Sequence, residues 1–285
     1  MITVIDISQF QPCAAIDYDK LAGSVDGVIL RAAYGTRKDT AFETHYAEFK
    51  RRGIPMGVYL FLVGYKTASE QVVVMRNAIA GKEFKLGLWN DSELEKGATP
   101  LTAKHVIDFM NLAEAEFGEL GIYTGHWCWQ TIMGNEYARY STRKLWASGS
   151  VSYESFLKYY YPHGWDVNDW VLWQYTSHGR LPGYNSDLDI NRFNGDEDAW
   201  KAWTGVTIIP KPPVDKTKVI NLGTVQIPVL RMRSGAGTGY PIVGSLSAGK
   251  VVEILETVNV GADIWARVGQ GQWSAMKYNG LVYIE

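Results

Sequence analysis

With 285 residues, 46% hydrophobic and 20% charged, the chain has the apolar material for a sizeable core and too little charge for a disordered polymer. Its length exceeds the usual single domain, so one large domain plus a small one is expected. A formal net charge of −2, with Lys and Arg scattered along the chain, leaves no electrostatic footprint for nucleic acid.

No run approaches the roughly 18 apolar residues of a membrane span. The opening MITVIDISQF has neither the charged lead nor the apolar stretch of a signal peptide, so no export signal and no membrane insertion are expected. Cys13 and Cys128 are far apart and show no metal-type spacing with the five histidines; both read as buried thiols, with no metal and no organic cofactor expected.

From Thr3 to about Phe193 short β-rich runs alternate with helical stretches, the pattern of an α/β domain with a largely parallel sheet. The runs TVIDIS, GVILRAA, GVYLFL, LGLWNDSE, GIYTG, KLWAS, VLWQYT and LDINRF give eight candidate strands. Helical spacing of apolar residues predicts helices over Thr40 to Arg52, Thr67 to Ala80 and Thr102 to Phe117. After the fifth strand the intervals turn irregular, and ESFLKYYYPHGWDVNDW offers Tyr, Gly and Pro in place of a clean amphipathic helix. Eight strands with helices concentrated early suggest a distorted (β/α) barrel, whose reactive groups sit at strand C-terminal ends.

The segment LGLWNDSELEKG is the most informative stretch of the chain. If Leu86 to Glu93 is a strand, Asp91 and Glu93 point to one face with Cα atoms roughly 6.6 Å apart. Partial burial and a neighbouring negative charge then leave one carboxyl protonated beside one ionised partner, which is equipment for cutting an acetal. Asp6 falls near the end of the first run and Asp189 in the last, so four acids are expected at one mouth. A single acid at a strand end is ordinarily a cap or an ion-pair partner; four at the same end point to chemistry. Aromatic content of 13%, with 11 Trp and 17 Tyr, exceeds what a core alone needs and suits stacking on sugar rings.

Near Thr204 the character changes. Residues 205–218 read as a proline-containing, semi-rigid linker between a domain spanning 1–204 and a second spanning 219–285. The last segment has no convincing helix and shows short strands separated by turn signals, which fits a small all-β barrel.

With Asp6 in VIDISQFQ, the Asp91-Ser92-Glu93 set, WQYTS from Trp173 and LDINRF around Asp189, the first two hundred residues resemble glycoside hydrolase family 25, the family of phage and bacterial lysozymes. GVILRAAYG, GIPMGVYLF and GIYTG fall in the expected order as well. The resemblance implies an irregular, flattened (β/α) barrel and an N-acetylmuramidase cutting the β-1,4 bond between N-acetylmuramic acid and N-acetylglucosamine in peptidoglycan. It implies Glu93 as general acid and then base, and Asp91 as the ionised partner that raises the pKa of Glu93 and orients the substrate's N-acetyl group. Asp6 and Asp189 complete the acidic floor. Between an aspartate and the substrate's acetamido oxygen as nucleophile, the Asp-x-Glu pair suits acetamido assistance.

Arg31, Tyr59, Tyr123, Trp173 and Gln174, at or near strand ends, are the candidate substrate contacts, with Arg31 placed to pair with Asp6 or touch a sugar. Two departures from the family pattern, Phe10 where Trp is common and Leu60 where a polar or larger aromatic residue is common, touch substrate contacts more than the acids.

The tail resembles a bacterial SH3-like domain through LRMRSGAGTGYPIVGSLSAGKVVEI and IWARV, with Arg231-Met232 in place of the usual Asn-Val pair. That resemblance implies a cell-wall-binding module, with Tyr240, Trp265, Trp273 and Tyr278 as groove candidates. A wall-directed catalytic domain without an export signal implies a phage endolysin held in the host cytoplasm until a membrane pore admits it to the wall, with a bacterial autolysin exported by another route as the alternative; oligomeric state is left open. The competing readings are a non-catalytic wall-binding protein and a peptidoglycan amidase or peptidase, the latter without a supporting zinc set or Cys-His pair.

Overall fold

The computed structural model describes residues 2–167, 169–205, 221–269 and 271–285, and the chain divides into two units, 1–209 and 210–285. The expected linker falls almost wholly outside the described residues.

In the first unit the strands are β1 (Thr3–Ile7), β2 (Gly27–Tyr34), β3 (Arg37–Lys38), β4 (Met56–Phe61), β5 (Leu88–Asp91), β6 (Gly121–Gly125), β7 (Leu145–Ser148), β8 (Trp170–Leu181) and β9 (Tyr184–Phe193). The sheet order is β1-β9-β8-β7-β6-β5-β4-β2-β3, and β1 also pairs with β2, so eight strands close into a barrel with β3 as a short outer flap. The helices are α1 (Tyr18–Ala22), α2 (Phe42–Arg51), α3 (Ala68–Ile79), α4 (Ala103–Phe117), α5 (His126–Met133), α6 (Tyr153–Tyr159) and α7 (Glu197–Thr204). The three helices expected from periodicity are α2, α3 and α4. The start of α3 is set by a capping box, in which Thr67 and Glu70 each accept the other's backbone N–H. The segment expected to lack a clean helix holds the single turn-pair of α6, closed over the sheet by Phe156.

The barrel interior is filled by Val4, Ile29, Trp89, Trp146, Leu172 and Phe193, all buried. Large rings need small neighbours: a Cβ on Gly121 would stand 2.3 Å from the Trp89 ring. The helices cover the outer face through two further apolar layers, one containing Leu60, Phe109 and Trp173 and the other Ile5, Leu30 and Phe42.

Two departures from expectation bear on the site. β9 runs antiparallel to both β1 and β8, turning through Gly183 at φ 101°, where a Cβ would collide with the Asp17 carbonyl at 2.5 Å. Asp189 therefore reaches the mouth from the middle of a reversed strand, not from a strand's C-terminal end. β5 is also shorter than the expected Leu86 to Glu93 run and ends at Asp91, so strict strand alternation does not carry Glu93.

The second unit contains β10 (Asn221–Thr224), β11 (Val229–Arg233), β12 (Ile242–Ser247), β13 (Val251–Ile254), β14 (Glu256–Val260), β15 (Asp263–Gly269), β16 (Gln272–Tyr278) and β17 (Leu281–Val282). β10 pairs with β13, and a larger sheet runs β12-β11-β16-β15-β14 with β17 on β16. Its core is Val225, Leu230, Val252, Ile254, Ala266 and Ile284. Among the described residues no helix is long and apolar enough to cross a membrane.

Candidate active site

Four carboxyl groups gather at the end of the barrel where β1 and β5 finish. Asp6 and Asp189 are direct partners across β1 and β9, so both face the same way. Asp91 is the last residue of β5, and Glu93 follows it after Ser92. The ladder extends one step beyond the strand, because Ser92 donates its backbone N–H to the Tyr123 carbonyl at 3.0 Å and its own carbonyl accepts from Thr124 Oγ1 at 2.9 Å. That pair of bonds fixes the peptide from which Glu93 projects.

Asp6 is held by amide donors. Asn191 Nδ2 reaches its Oδ2 at 2.8 Å, and Gln174 Nε2 reaches Oδ1 and Oδ2 at 3.2 and 3.0 Å. Each amide is oriented in turn: Asn191 Oδ1 accepts from Trp146 Nε1 at 2.6 Å, and Gln174 Oε1 accepts from the Tyr123 hydroxyl at 2.8 Å. With both amide orientations set by these partners, a continuous line runs Tyr123 to Gln174 to Asp6.

All four acids are pushed upward, in every case chiefly by burial. Asp6 rises from 3.8 to about 6, with Asn191 and Gln174 restraining the rise. Glu93 rises from 4.5 to about 7, with the charge of Asp6 adding to burial. Asp189 rises from 3.8 to about 8, reinforced by Asp6 and Glu93. Asp91 is driven well above its usual range, by burial first and then by Glu93 and Asp6, against the pull of Arg31. The four titrate as a set, and Asp6, the one with three amide donations, is the member best able to carry charge at neutral pH.

Glu93 also hydrogen bonds to Tyr123. A hydrogen donated by Tyr123 would lower its pKa, but the phenol has one hydrogen and directs it to Gln174. The phenolic oxygen is left to accept, which favours a protonated Glu93. Asp91 Oδ1 has no hydrogen-bond partner among the described residues. A buried oxygen without a donor favours the protonated carboxyl, in the same direction as burial.

The remaining candidates separate by strand face. Tyr59, Tyr123 and Gln174 face the interior beneath or beside the acids. Trp173, one residue before Gln174 on β8, points the other way; it stacks on Phe156 with ring centroids 4.7 Å apart and donates Nε1 to the Gly149 carbonyl at 3.0 Å. Leu60 likewise lies in the helix-facing layer, so its identity does not alter the cleft. Arg31 is not paired with Asp6. Its Nε donates to Asp39 Oδ2 at 2.8 Å in a buried ion pair, and its guanidinium lies 4.9 Å from the exposed Phe10 ring.

The sequence of this chain matches Glycosyl hydrolases family 25 over residues 5–184. The chain belongs to that family. It is a glycoside hydrolase. Residues 228–280 match the bacterial SH3 domain. No curated protein matches the chain. Among solved structures, a bacterial lysozyme from Streptomyces coelicolor is 21% identical, with a TM-score of 0.60, covering 71% of this chain and 96% of its own. A muramidase from Trichobolus zukalii is 24% identical with a TM-score of 0.58, covering 72% of this chain and 100% of its own. A family 25 glycosyl hydrolase from Bacillus anthracis is 19% identical with a TM-score of 0.59, covering 72% and 94%. At these identities the likeness establishes a shared barrel.

In this family 25 barrel the residues missed by sequence reasoning are Asn191, Asp39 and Thr124. Asn191 carried a signal, since it lies in LDINRF two positions after Asp189 and so on the same face. Asp39 and Thr124 carried none. Cys13 and Cys128 are half-buried free thiols instead of fully buried ones, and Cys13 Sγ lies 3.9 Å from His45 Nδ1. In the SH3 unit, cross-strand register places Trp265 and Trp273 on one sheet face, opposite Ala275 and Arg267 respectively. Trp265 is buried, with Tyr278 edge-on at 6.3 Å, and Trp273 is half-buried. Tyr240 lies over Gly235, whose Cβ would meet its ring at 2.4 Å.

Proposed function

We propose that this family 25 enzyme is an N-acetylmuramidase, hydrolysing the β-1,4 bond between N-acetylmuramic acid and N-acetylglucosamine in bacterial peptidoglycan. The observation that carries the reading is Glu93, a mouth carboxyl with a pKa of about 7 that opens on a cavity of about 700 Å³. A group poised there is protonated often enough to donate and ionised often enough to accept. The neighbours described as lysozyme and muramidase point to the same chemistry.

Glu93 gives its proton to the bridging oxygen as the bond to the anomeric carbon breaks. The acetamido oxygen of the same sugar attacks that carbon, forming a cyclic intermediate, and Glu93 then takes a proton from the water that opens it. Asp91 receives the acetamido N–H on its unpartnered Oδ1. A donor arriving there stabilises the ionised form of Asp91, and the resulting charge raises Glu93, so substrate binding itself sets the pair into acid and base. Asp6, fixed by Asn191 and Gln174, supplies negative potential toward the positive charge that develops on the sugar. The SH3 unit holds the enzyme on the wall and raises its local concentration there.

The test is product analysis on purified walls. New reducing ends without new free amines are expected, and Glu93→Gln should bind walls as the parent does with turnover reduced at least about a thousandfold. New amines would assign an amidase or peptidase, and binding without turnover in the parent would assign a wall-binding protein. A covalent sugar ester trapped on Asp6, Asp91 or Asp189 would overturn acetamido assistance.

A further inference from the structure

The cavity beside Glu93 is walled by Phe10 after β1, by Tyr34 and Arg37 at the β2–β3 turn, and by Leu94 to Lys96 after β5. Its floor is aromatic: Tyr34 stacks on Phe61 with centroids 4.9 Å apart and an interplanar angle of 13°. Its charges differ in their commitments. Arg31 is held by Asp39 at 2.8 Å, Lys38 by Glu43 at 2.6 Å, and Glu95 accepts from the Tyr34 hydroxyl. Arg37 and Lys96 have no carboxylate partner among the described residues; Arg37 lies 5.0 Å over the Tyr34 ring, which holds the guanidinium at the cavity wall.

A neutral sugar calls for neither of these cations. Two positive charges without a carboxylate partner at the wall of this cavity, one of them over its aromatic floor, next to the acid that protonates the leaving oxygen, fit an anionic group carried on a flexible substituent of the bound sugar. On the muramidase reading, on which this inference rests, the substituent with that chemistry is the peptide attached to muramic acid, which carries free carboxylates. We propose that this cavity is a subsite for the carboxylate-bearing peptide of the glycan, with Arg37 and Lys96 as its cationic contacts and Tyr34 and Phe61 as its floor.

The experiment compares three soluble substrates: glycan chains with uncross-linked peptides, the same chains after an amidase has removed the peptides and the lactyl carboxylates so exposed have been capped as amides, and the same chains with the peptide carboxylates amidated. For the parent enzyme, KM on the first should be lower than on the other two by roughly tenfold, the size expected of two charge-assisted contacts at a partly exposed site. Arg37→Gln/Lys96→Gln should raise KM on the first substrate to the level of the second, with kcat kept and with less than about a twofold change on peptide-free chains. Equal KM on all three substrates for the parent, or an equal loss on all three for the double variant, would overturn the subsite. So would inhibition by a soluble glycerol-phosphate polymer that the double variant loses while remaining indifferent to peptides, since the cations would then serve phosphate. Failure of the parent to cut any of the three would strike the muramidase reading itself.

Discussion

Asp6 and Asp189 stand directly opposite each other across β1 and β9, two carboxyl groups on neighbouring strands with no cation between them in the ladder. Like charges in such a pair repel at close range, and burial adds to the cost of ionising either. Amide donors from Asn191 and Gln174 favour charge on Asp6, so Asp189 is the member that keeps its proton, near pH 8.

Asp189→Asn should therefore stabilise the barrel in a pH-dependent way. A carboxyl whose folded pKa lies above its unfolded value binds more protons folded than unfolded, so its contribution to stability falls as pH rises from about 4 toward 8. Removing it should raise Tm by more at pH 8 than at pH 5, the difference being up to about 1.4 kcal/mol for each pH unit over which only the unfolded chain has lost the proton. Thermal unfolding at the two pH values measures this; an equal shift at both would mean Asp189 is not protonated in the folded protein.

Activity should follow a narrow bell. Glu93 must carry its proton to act as acid, so kcat/KM falls as pH rises through about 7, and Asp6 must be ionised, so it falls again below about 6. Gln174→Leu removes two donations to Asp6 and should move the acidic limb upward, narrowing the profile, with the alkaline limb displaced less. A kcat/KM profile of parent and variant from pH 4 to 9 decides it; an acidic limb that stays in place would remove Asp6 from the ionised role.

The eight barrel strands and the gathering of Asp6, Asp91, Glu93 and Asp189 were legible because alternating apolar runs and acids near their ends are local patterns. Alternation also separates neighbours: Trp173 and Gln174 are consecutive on one strand, so they cannot both face the cleft, and the same holds for Tyr59 and Leu60. The reversed sense of β9 was harder to read, since it depends on a two-residue turn at Pro182 and Gly183 in place of a crossover. Pairings such as Trp146 with Asn191 and Arg31 with Asp39 depend on closure of the barrel and on a loop fold, and no spacing rule announces them.

Packing inside the barrel gives a test that does not involve the acids. Gly121→Ala places a methyl 2.3 Å from the fully buried Trp89 ring, whose Nε1 is anchored to the Leu86 carbonyl at 2.8 Å and so resists displacement. Overpacking of this kind should cost about 2–3 kcal/mol, seen as a lower denaturant midpoint at unchanged m-value. A stability equal to that of the parent would mean that the Trp89 ring moves aside freely.

Thr124 ties down the segment from which Glu93 projects. Its Oγ1 donates to the Ser92 carbonyl at 2.9 Å, and Ser92 N–H is bound to the Tyr123 carbonyl, so β6 grips both polar groups of the residue before Glu93. Thr124→Val keeps the volume and removes one grip, leaving a buried carbonyl without that donor at a cost of about 1–2 kcal/mol. The larger effect should be on positioning: Glu93 gains rotational and backbone freedom, and a carboxyl displaced by about 1 Å loses up to a hundredfold in rate. The expected result is a lower kcat with KM nearly unchanged, a less sharply defined alkaline limb, and recovery in Thr124→Ser, which restores the hydroxyl in a smaller side chain. A loss of stability with kcat intact would make the hydroxyl a structural tie alone, and failure of the serine variant to recover would show that the methyl group, not the hydrogen bond, holds the turn.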